Sequence, residues 1–391
     1  MKQVYTNKAQ CCGCTACYAM CPHEAIQMLP DSEGFLYPSI DETKCINCGL
    51  CQKVCNFNNP TKFNPVSQHL YGYKHENEAV LKKSSSGGAF TAISNEILDR
   101  DGAVFGAVYD GTLTVVHAMA EDAEGRDRMC GSKYVQSRIG DTYTKVKEVL
   151  EAGRQVLFTG TPCQVAGLRS FLGRKDYLGL TTVDFICHGV PSPQIFKEYL
   201  CFVEKKMHKK IVAHECRGKQ SGWAHVESNR FADGSEDHVS RFSQLHRRLF
   251  YKDIANRPAC HNCPYAVTNR VSDITIADFW GVDTQIPEFY DKRGVSLLLI
   301  NTVKGEQMFR LIKEKGQTVE TCLEQVLPRQ PLLSHPTQRS DNRDMFWKMY
   351  YKKGYEKAIK SVFYHPTHEA AVDTMREMGI FPFIARILGK S

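Results

Sequence analysis

Two runs of cysteine at one repeated spacing, followed by strand–turn–helix units, predict a mixed chain in two parts. A small α+β module held together by metal centres comes first. A larger α/β domain follows. The 391 residues give room for two or three domains, and an apolar content of 42 % is enough for a sizeable core.

Cys11, Cys14, Cys17 and Cys21 are spaced C-x2-C-x2-C-x3-C, with Pro22 next. Cys45, Cys48, Cys51 and Cys55 repeat the spacing, with Asn56 in the proline place. This is the ligand run of a bacterial two-cluster ferredoxin. Three closely spaced thiolates cap one cubane, and the fourth reaches the other cluster. The spacing therefore predicts one 4Fe–4S cluster on Cys11, Cys14, Cys17 and Cys55, and a second on Cys45, Cys48, Cys51 and Cys21. Zinc also uses C-x2-C pairs, but as two pairs rather than two runs of four. Cys12 fits no register, since residue 15 is Thr, and is read as a passenger. Residues 1–57 are too few to bury much core alone. The clusters must staple this module, so it is expected to be unfolded without iron. Residues 26–41 predict two short strands around a turn at 31–34. The polar, proline-bearing stretch 58–68 reads as a linker.

The formal charge of +7 treats every cysteine as neutral. Each cubane with four thiolates subtracts about 2, leaving roughly +3 to +1 with two or three clusters. No nucleic-acid partner is expected. Seventeen cysteines and a start without an apolar h-region predict a reducing, cytoplasmic setting. No apolar run is long enough to span a bilayer.

The larger domain divides into residues 69–152 and 153–335. LYGYKH reads as a strand. Ser84, Ser85, Ser86, Gly87 and Gly88 form a loop ahead of a helix over 89–98. Small residues at a helix N-terminus suit a phosphate, although a Ser-capped helix has the same look. Two strands follow, paired about Gly111, then a helix over 141–152. VLF is a strand, 160–163 a turn and 165–172 a helix, which puts Cys163 near a helix N-terminus. TTVDFIC predicts a strand ending at Cys187. Sites gather at the ends of parallel strands. Residues 211–240 read as β-rich. Cys260 and Cys263 form one C-x2-C, so a complete site must borrow ligands, and Cys163 and Cys187 are the lenders. A third 4Fe–4S cluster is the reading, with zinc as the alternative. Cys130, Cys201, Cys216 and Cys322 read as buried thiols. DITIADFWGV and VSLLLINTV are strands, and 336–391 a helical tail.

SSSGGAF, GSKYVQS, FTGTPCQVAGL, CHGVPSP, CHNC and DITIADFWG occur in that order. Together they resemble the coenzyme F420 hydrogenase/dehydrogenase beta-subunit family, in the form with an N-terminal two-cluster ferredoxin domain. The resemblance covers about residues 1–330. It implies an iron–sulfur flavoprotein fold, with FAD near Ser84–Gly88 and near Lys133 and Tyr134. It also implies a cluster held by cysteines of the C-terminal half. Ala277 departs from the family's usual Gly before Asp-Phe-Trp, which questions a close backbone approach there.

Clusters carry single electrons, whereas reduced deazaflavin and organic substrates exchange two. A flavin can do both and belongs between them. The expected function is an oxidoreductase passing electrons between clusters, FAD and a small two-electron substrate, either coenzyme F420 or a ferredoxin-driven organic compound. The alternative is an electron-transfer subunit whose active site lies in a partner chain. A ferredoxin or another member of a redox complex is the expected protein partner.

Overall fold

The computed structural model describes residues 3–60, 62–65, 69–173, 175, 177–219 and 222–363. Part of the linker reading, at residues 61 and 66–68, lies outside them.

Strands β1 (Ile26–Pro30) and β2 (Leu36–Ile40) form an antiparallel hairpin, with Ile26 opposite Ile40. Asp31 shapes its turn by accepting the N–H groups of Glu33 and Phe35, each at 3.0 Å. Gly34 has φ +82°, and a Cβ there would lie 2.5 Å from Cβ of Gln194. The turn thus abuts the helix Pro193–Met207 of the larger domain.

The remaining strands, in chain order, are β3 (His69–His75), β4 (Ala103–Tyr109), β5 (Val115–Ala120), β6 (Val156–Thr159), β7 (Leu180–Phe185), β8 (Ile211–Gly218), β9 (Val226–Phe231), β10 (Glu236–Asp237), β11 (Ile274–Asp278), β12 (Ser296–Ile300) and β13 (Gly316–Thr321). Eight of them form one sheet in the order β13-β3-β12-β11-β7-β6-β4-β5. The inner strands β11, β7, β6 and β4 run parallel, and the flanking pairs are antiparallel. The sheet draws on residues from both sides of position 152, so the two halves are one fold. Ala277 pairs with Leu297 inside β11, where its Cβ is accommodated.

Both faces of the sheet are covered, as side-chain alternation requires. Val156 and Phe158 pack with Tyr143, Val146 and Leu168 on one face. Leu157 packs with Ile93, Ile97 and Phe309 on the other. Ala16, Cys17, Ile26 and Val54 of the N-terminal module belong to the first of these cores. The small module therefore shares a core with its neighbour.

Three boundaries differ from the sequence reading. The helix after β6 spans Pro162–Phe171, because Thr161 and Gln164 form a capping box and Pro162 suits the first turn. Cys163 is therefore inside the helix rather than in the turn. Strand β7 stops at Phe185, two residues before Cys187. There the chain leaves the sheet and pairs with the 255–257 segment, Ser192 N–H to Ala255 O at 2.9 Å and Arg257 N–H to Val190 O at 3.0 Å. Of the stretch 336–391 read as a helical tail, the described part carries two helices packed against the larger domain. Helices Arg343–Lys353 and Tyr355–Phe363 bury Phe346, Trp347, Ile359 and Phe363 in one core with the helix Pro193–Met207. Residues 364–391 lie outside the described ones. No described helix is long and apolar enough to cross a membrane.

Candidate functional site

In the N-terminal module the cysteines line two cavities. Cys21, Cys45, Cys48 and Cys51 line one with Ile26, Ile40 and Ile46. Cys11, Cys12, Cys14, Cys17 and Cys55 line the other. The last cysteine of each run thus stands with the first three of the other. The local backbone turns tightly to do this. Thr15 and Gly49, at φ +63° and +77°, each precede a single-turn helix that carries Cys17 or Cys51. Cys17 is buried, and desolvation, with the nearby Cys11 and Cys55, raises its thiol pKa.

Cys163, Cys187, Cys260 and Cys263 converge in the larger domain. Cys163 opens the helix after β6, and Cys187 follows β7. Cys260 and Cys263 lie on and just after the 3-10 turn Pro258–Asn262. Each of the last three thiols feels the charge of Cys163. Burial, reinforced by these neighbours, pushes Cys260 and Cys263 up to about 12. Such thiols hold their protons until a metal displaces them.

This group adjoins the Cys11 cavity of the N-terminal module. Asn56 Nδ2 donates to Cys163 O at 3.2 Å and lies 3.8 Å from Cys14 Sγ. A Cβ on Gly167 would sit 3.0 Å from Cys14 Sγ, so only glycine lets the helix approach so closely. Cys12, read as a passenger, lines the Cys11 cavity at this junction, and the Cys163 thiol feels its charge.

Arg257 closes the same junction, with no exposed surface. Its Nε donates to Cys11 O at 2.7 Å, Nη1 to Gln136 Oε1 at 2.8 Å and Nη2 to Leu36 O at 2.9 Å. Nη2 also lies 3.6 Å from Cys11 Sγ, and the guanidinium stacks 4.2 Å over the Tyr37 ring. Sequence reading missed it, because an arginine in RPACHNC looks like an ordinary surface residue.

The serine–glycine loop lies against Val295 and Ser296 at the start of β12, beside Asp278 at the end of β11, and most of its polar groups are engaged. Ser84 Oγ donates to Val80 O at 2.7 Å, Ser86 Oγ to Val295 O at 2.7 Å and Gly87 N–H to Ser296 Oγ at 2.9 Å. Ser85 Oγ accepts Ser132 N–H at 2.9 Å. Gly87 is glycine because a Cβ would lie 2.2 Å from Tyr73 O. Gly88, at φ +89°, begins the helix Ala89–Leu98, which has no side-chain cap. Its first N–H groups remain available to an anion.

Lys133 does not face this loop as a free cation. Its Nζ donates to the carbonyls of Arg128, Met129 and Cys130 at 3.0, 2.9 and 2.8 Å, and burial lowers its pKa to about 8. Tyr134 stacks on Phe250, with centroids 4.3 Å apart, and its hydroxyl accepts from Arg217 at 3.4 Å. Arg217 pairs with Asp278 at 2.6 Å and reaches Ser85 O at 3.4 Å. Trp223 Nε1 donates to Asp278 at 2.8 Å, and the Trp223 and Trp280 rings stack at 4.8 Å. Asp278 and Trp280 are recognisable in the DITIADFWG motif, whereas Arg217 and Trp223 carry no local signal. Between this site and the cysteine group, His188 packs 4.7 Å from Phe250.

Residues 10–59 match the model of the 4Fe-4S dicluster domain. The chain is thus an iron–sulfur protein whose first module is of the dicluster ferredoxin type. Residues 153–325 match the model for the C terminus of the coenzyme F420 hydrogenase/dehydrogenase beta subunit, and the chain carries this domain behind the dicluster one. None of the curated proteins matches the chain. One similar solved structure is a chain of the F420-reducing [NiFe] hydrogenase complex from Methanosarcina barkeri, in a xenon derivative. It is 20 % identical, with a TM-score of 0.46, and the alignment covers 77 % of this chain and 94 % of that one.

Proposed function

We propose that the chain is an iron–sulfur flavoprotein oxidoreductase that exchanges electrons between three 4Fe–4S clusters, FAD and a two-electron substrate. The observation that carries this reading is the contiguity of the sites. The cavity with Cys21 neighbours the one with Cys11, which meets Cys163 through Asn56 and Cys12. His188, next to Cys187, then leads through Phe250 to Tyr134 and the serine–glycine loop. In this reading Cys11, Cys14, Cys17 and Cys55 hold one cluster, and Cys45, Cys48, Cys51 and Cys21 the second. Cys163, Cys187, Cys260 and Cys263 hold the third.

A bound FAD supplies exchange of either one or two electrons. The uncapped helix Ala89–Leu98 offers N–H groups and a positive dipole end to its diphosphate. Tyr134 and the Trp223–Trp280 pair offer flat apolar surface to a ring system. Arg217, already balanced by Asp278, fixes the loop at Ser85. Lys133 orders the 128–133 turn rather than binding phosphate. Coenzyme F420 is the first substrate to test, with a ferredoxin-driven organic compound second.

Mixed anaerobically with reduced coenzyme F420, the reconstituted protein is expected to lose flavin and then cluster absorbance. Bleaching by reduced ferredoxin alone points instead to a ferredoxin-driven reductase. If neither donor reduces bound FAD while the clusters are intact, the isolated chain is an electron-transfer subunit and the enzyme reading fails.

The crossed cluster assignment has its own test. Cys55→Ser is expected to perturb the cluster on Cys11, Cys14 and Cys17, and to leave the signal of the other N-terminal cluster intact in electron paramagnetic resonance. Loss confined to the Cys45, Cys48 and Cys51 centre overturns the crossing.

A further inference from the structure

His214 and Cys216 on β8, Glu227 on β9 and His246 on the helix Leu245–Tyr251 bring four donor atoms within 4.8 Å of one another, all of them buried. No cluster or flavin assignment uses them. The two β8 residues are two apart, so they share a face. The β8–β9 register shifts between Glu215 and Gly218, a bulge of the kind that re-aims a side chain. His214 Nε2 lies 3.4 Å from Cys216 Sγ and 3.8 Å from Glu227 Oε1. His246 Nδ1 lies 2.8 Å from Glu227 Oε1.

The surrounding hydrogen bonds fix which atoms face inward. Tyr199 OH donates to Ser243 O at 2.8 Å and accepts from Asn229 Nδ2 at 2.8 Å. Asn229 Oδ1 is then the acceptor for His214 Nδ1 at 2.9 Å. That leaves the lone pair of a neutral His214 at Nε2, aimed at Cys216 and Glu227. A second neighbour that orients a ligating imidazole in this way is characteristic of metal sites. The other carboxylate oxygen, Glu227 Oε2, accepts Arg247 N–H at 2.8 Å, so the group is held from outside as well. Cys216 Sγ accepts Tyr134 N–H at 3.4 Å.

We propose that His214, Cys216, Glu227 and His246 bind one structural zinc ion. Two nitrogens, one sulfur and one oxygen are zinc donors, and a tetrahedron with bonds of about 2.0–2.3 Å has edges of roughly 3.3–3.8 Å. The two contacts of His214 Nε2 already have those lengths. The 2.8 Å contact is a hydrogen bond that an ion would replace. Binding at Nδ1 moves the His246 proton to Nε2, which has no hydrogen-bond partner, and releases the Cys216 proton, so the thiolate and carboxylate together neutralise the dication. Four protein ligands leave no open position, so the ion is structural. It ties β8 and β9 to the segment bearing Tyr134, beneath Arg217 and the serine–glycine loop.

The test uses anaerobically purified holoprotein with its clusters in place. About one zinc per chain is expected beside the cluster iron, with a zinc absorption edge fitted by one sulfur near 2.3 Å and nitrogen or oxygen near 2.0–2.1 Å. Cys216→Ser and His246→Gln are each expected to lose that zinc on dialysis while iron stays at the wild-type level. An all-sulfur zinc shell, which would locate the ion at Cys163, Cys187, Cys260 and Cys263, overturns the proposal. So does holoprotein that contains no zinc and takes none up from zinc chloride. Should both variants fail to fold, the edge spectrum of the wild type decides alone.

Discussion

Arg257→Met is expected to loosen the N-terminal module and to lower the potential of the cluster assigned to Cys11. Arg257 has no exposed surface and donates to the carbonyls of Cys11 and Leu36 and to Gln136. Its removal strands three buried acceptors, each costing about 1–3 kcal/mol. A total loss of about 3–5 kcal/mol is the expectation, read from denaturant unfolding of the holoprotein. The charge makes a separate contribution. A reduced cluster is more negative than an oxidised one, so a nearby cation stabilises the reduced form. Deleting one unit charge several ångströms away lowers the potential by something on the order of 100 mV. Arg257→Lys keeps the charge but not the fork of donors. It should lose stability while holding the potential near the wild-type value. Equal potentials for the Met and wild-type proteins in a redox titration would show that the guanidinium does not tune the cluster.

The second large effect is expected at the cysteine group of the larger domain. Cys263→Ala should lower iron from about twelve to about eight per chain, as one cubane is lost. FAD should still accept electrons from its two-electron donor, but the N-terminal clusters should stay oxidised on the turnover timescale. The two halves of the chain become redox-silent toward each other. Unchanged iron in the variant, or about eight irons in the wild type, refutes a third cubane there.

What could be read from the sequence was local. The paired cysteine runs reveal themselves because the first three ligands of each cluster fall within seven residues. The helix Ala89–Leu98 and the hairpin of β1 and β2 follow from short-range periodicity and turn residues. Sheet order was not legible. Strand β13 pairs with β3, with Val319 opposite Gly72, and nothing in either segment names the other. The same holds for the His214, Cys216, Glu227 and His246 group. Cys216 looked like a lone buried thiol because its companions arrive from another strand and a helix. The setting of Lys133 was not legible either: the family resemblance implies FAD near it, and the sequence does not reveal that its ammonium group donates to the carbonyls of Arg128, Met129 and Cys130.

The Glu33–Arg343 ion pair, a clasp between the N-terminal module and the helix Arg343–Lys353, bears on how the protein is made. Glu33, in the hairpin turn of the N-terminal module, is bound by Arg343, which stands 310 residues later and also donates to Asn256 O at 3.1 Å. The module emerges from the ribosome well before this partner. At about 5–20 residues per second, the interval is roughly 15–60 s. Until residues 162–171 follow, the cysteines of residues 11–55 lack the core face formed by the helix Pro162–Phe171, and until Arg343 follows they lack the clasp. Iron delivered early would meet a nascent segment open to solvent and oxygen. Maturation therefore favours an order in which Arg343 is synthesised, the clasp closes, and the N-terminal clusters are secured after it.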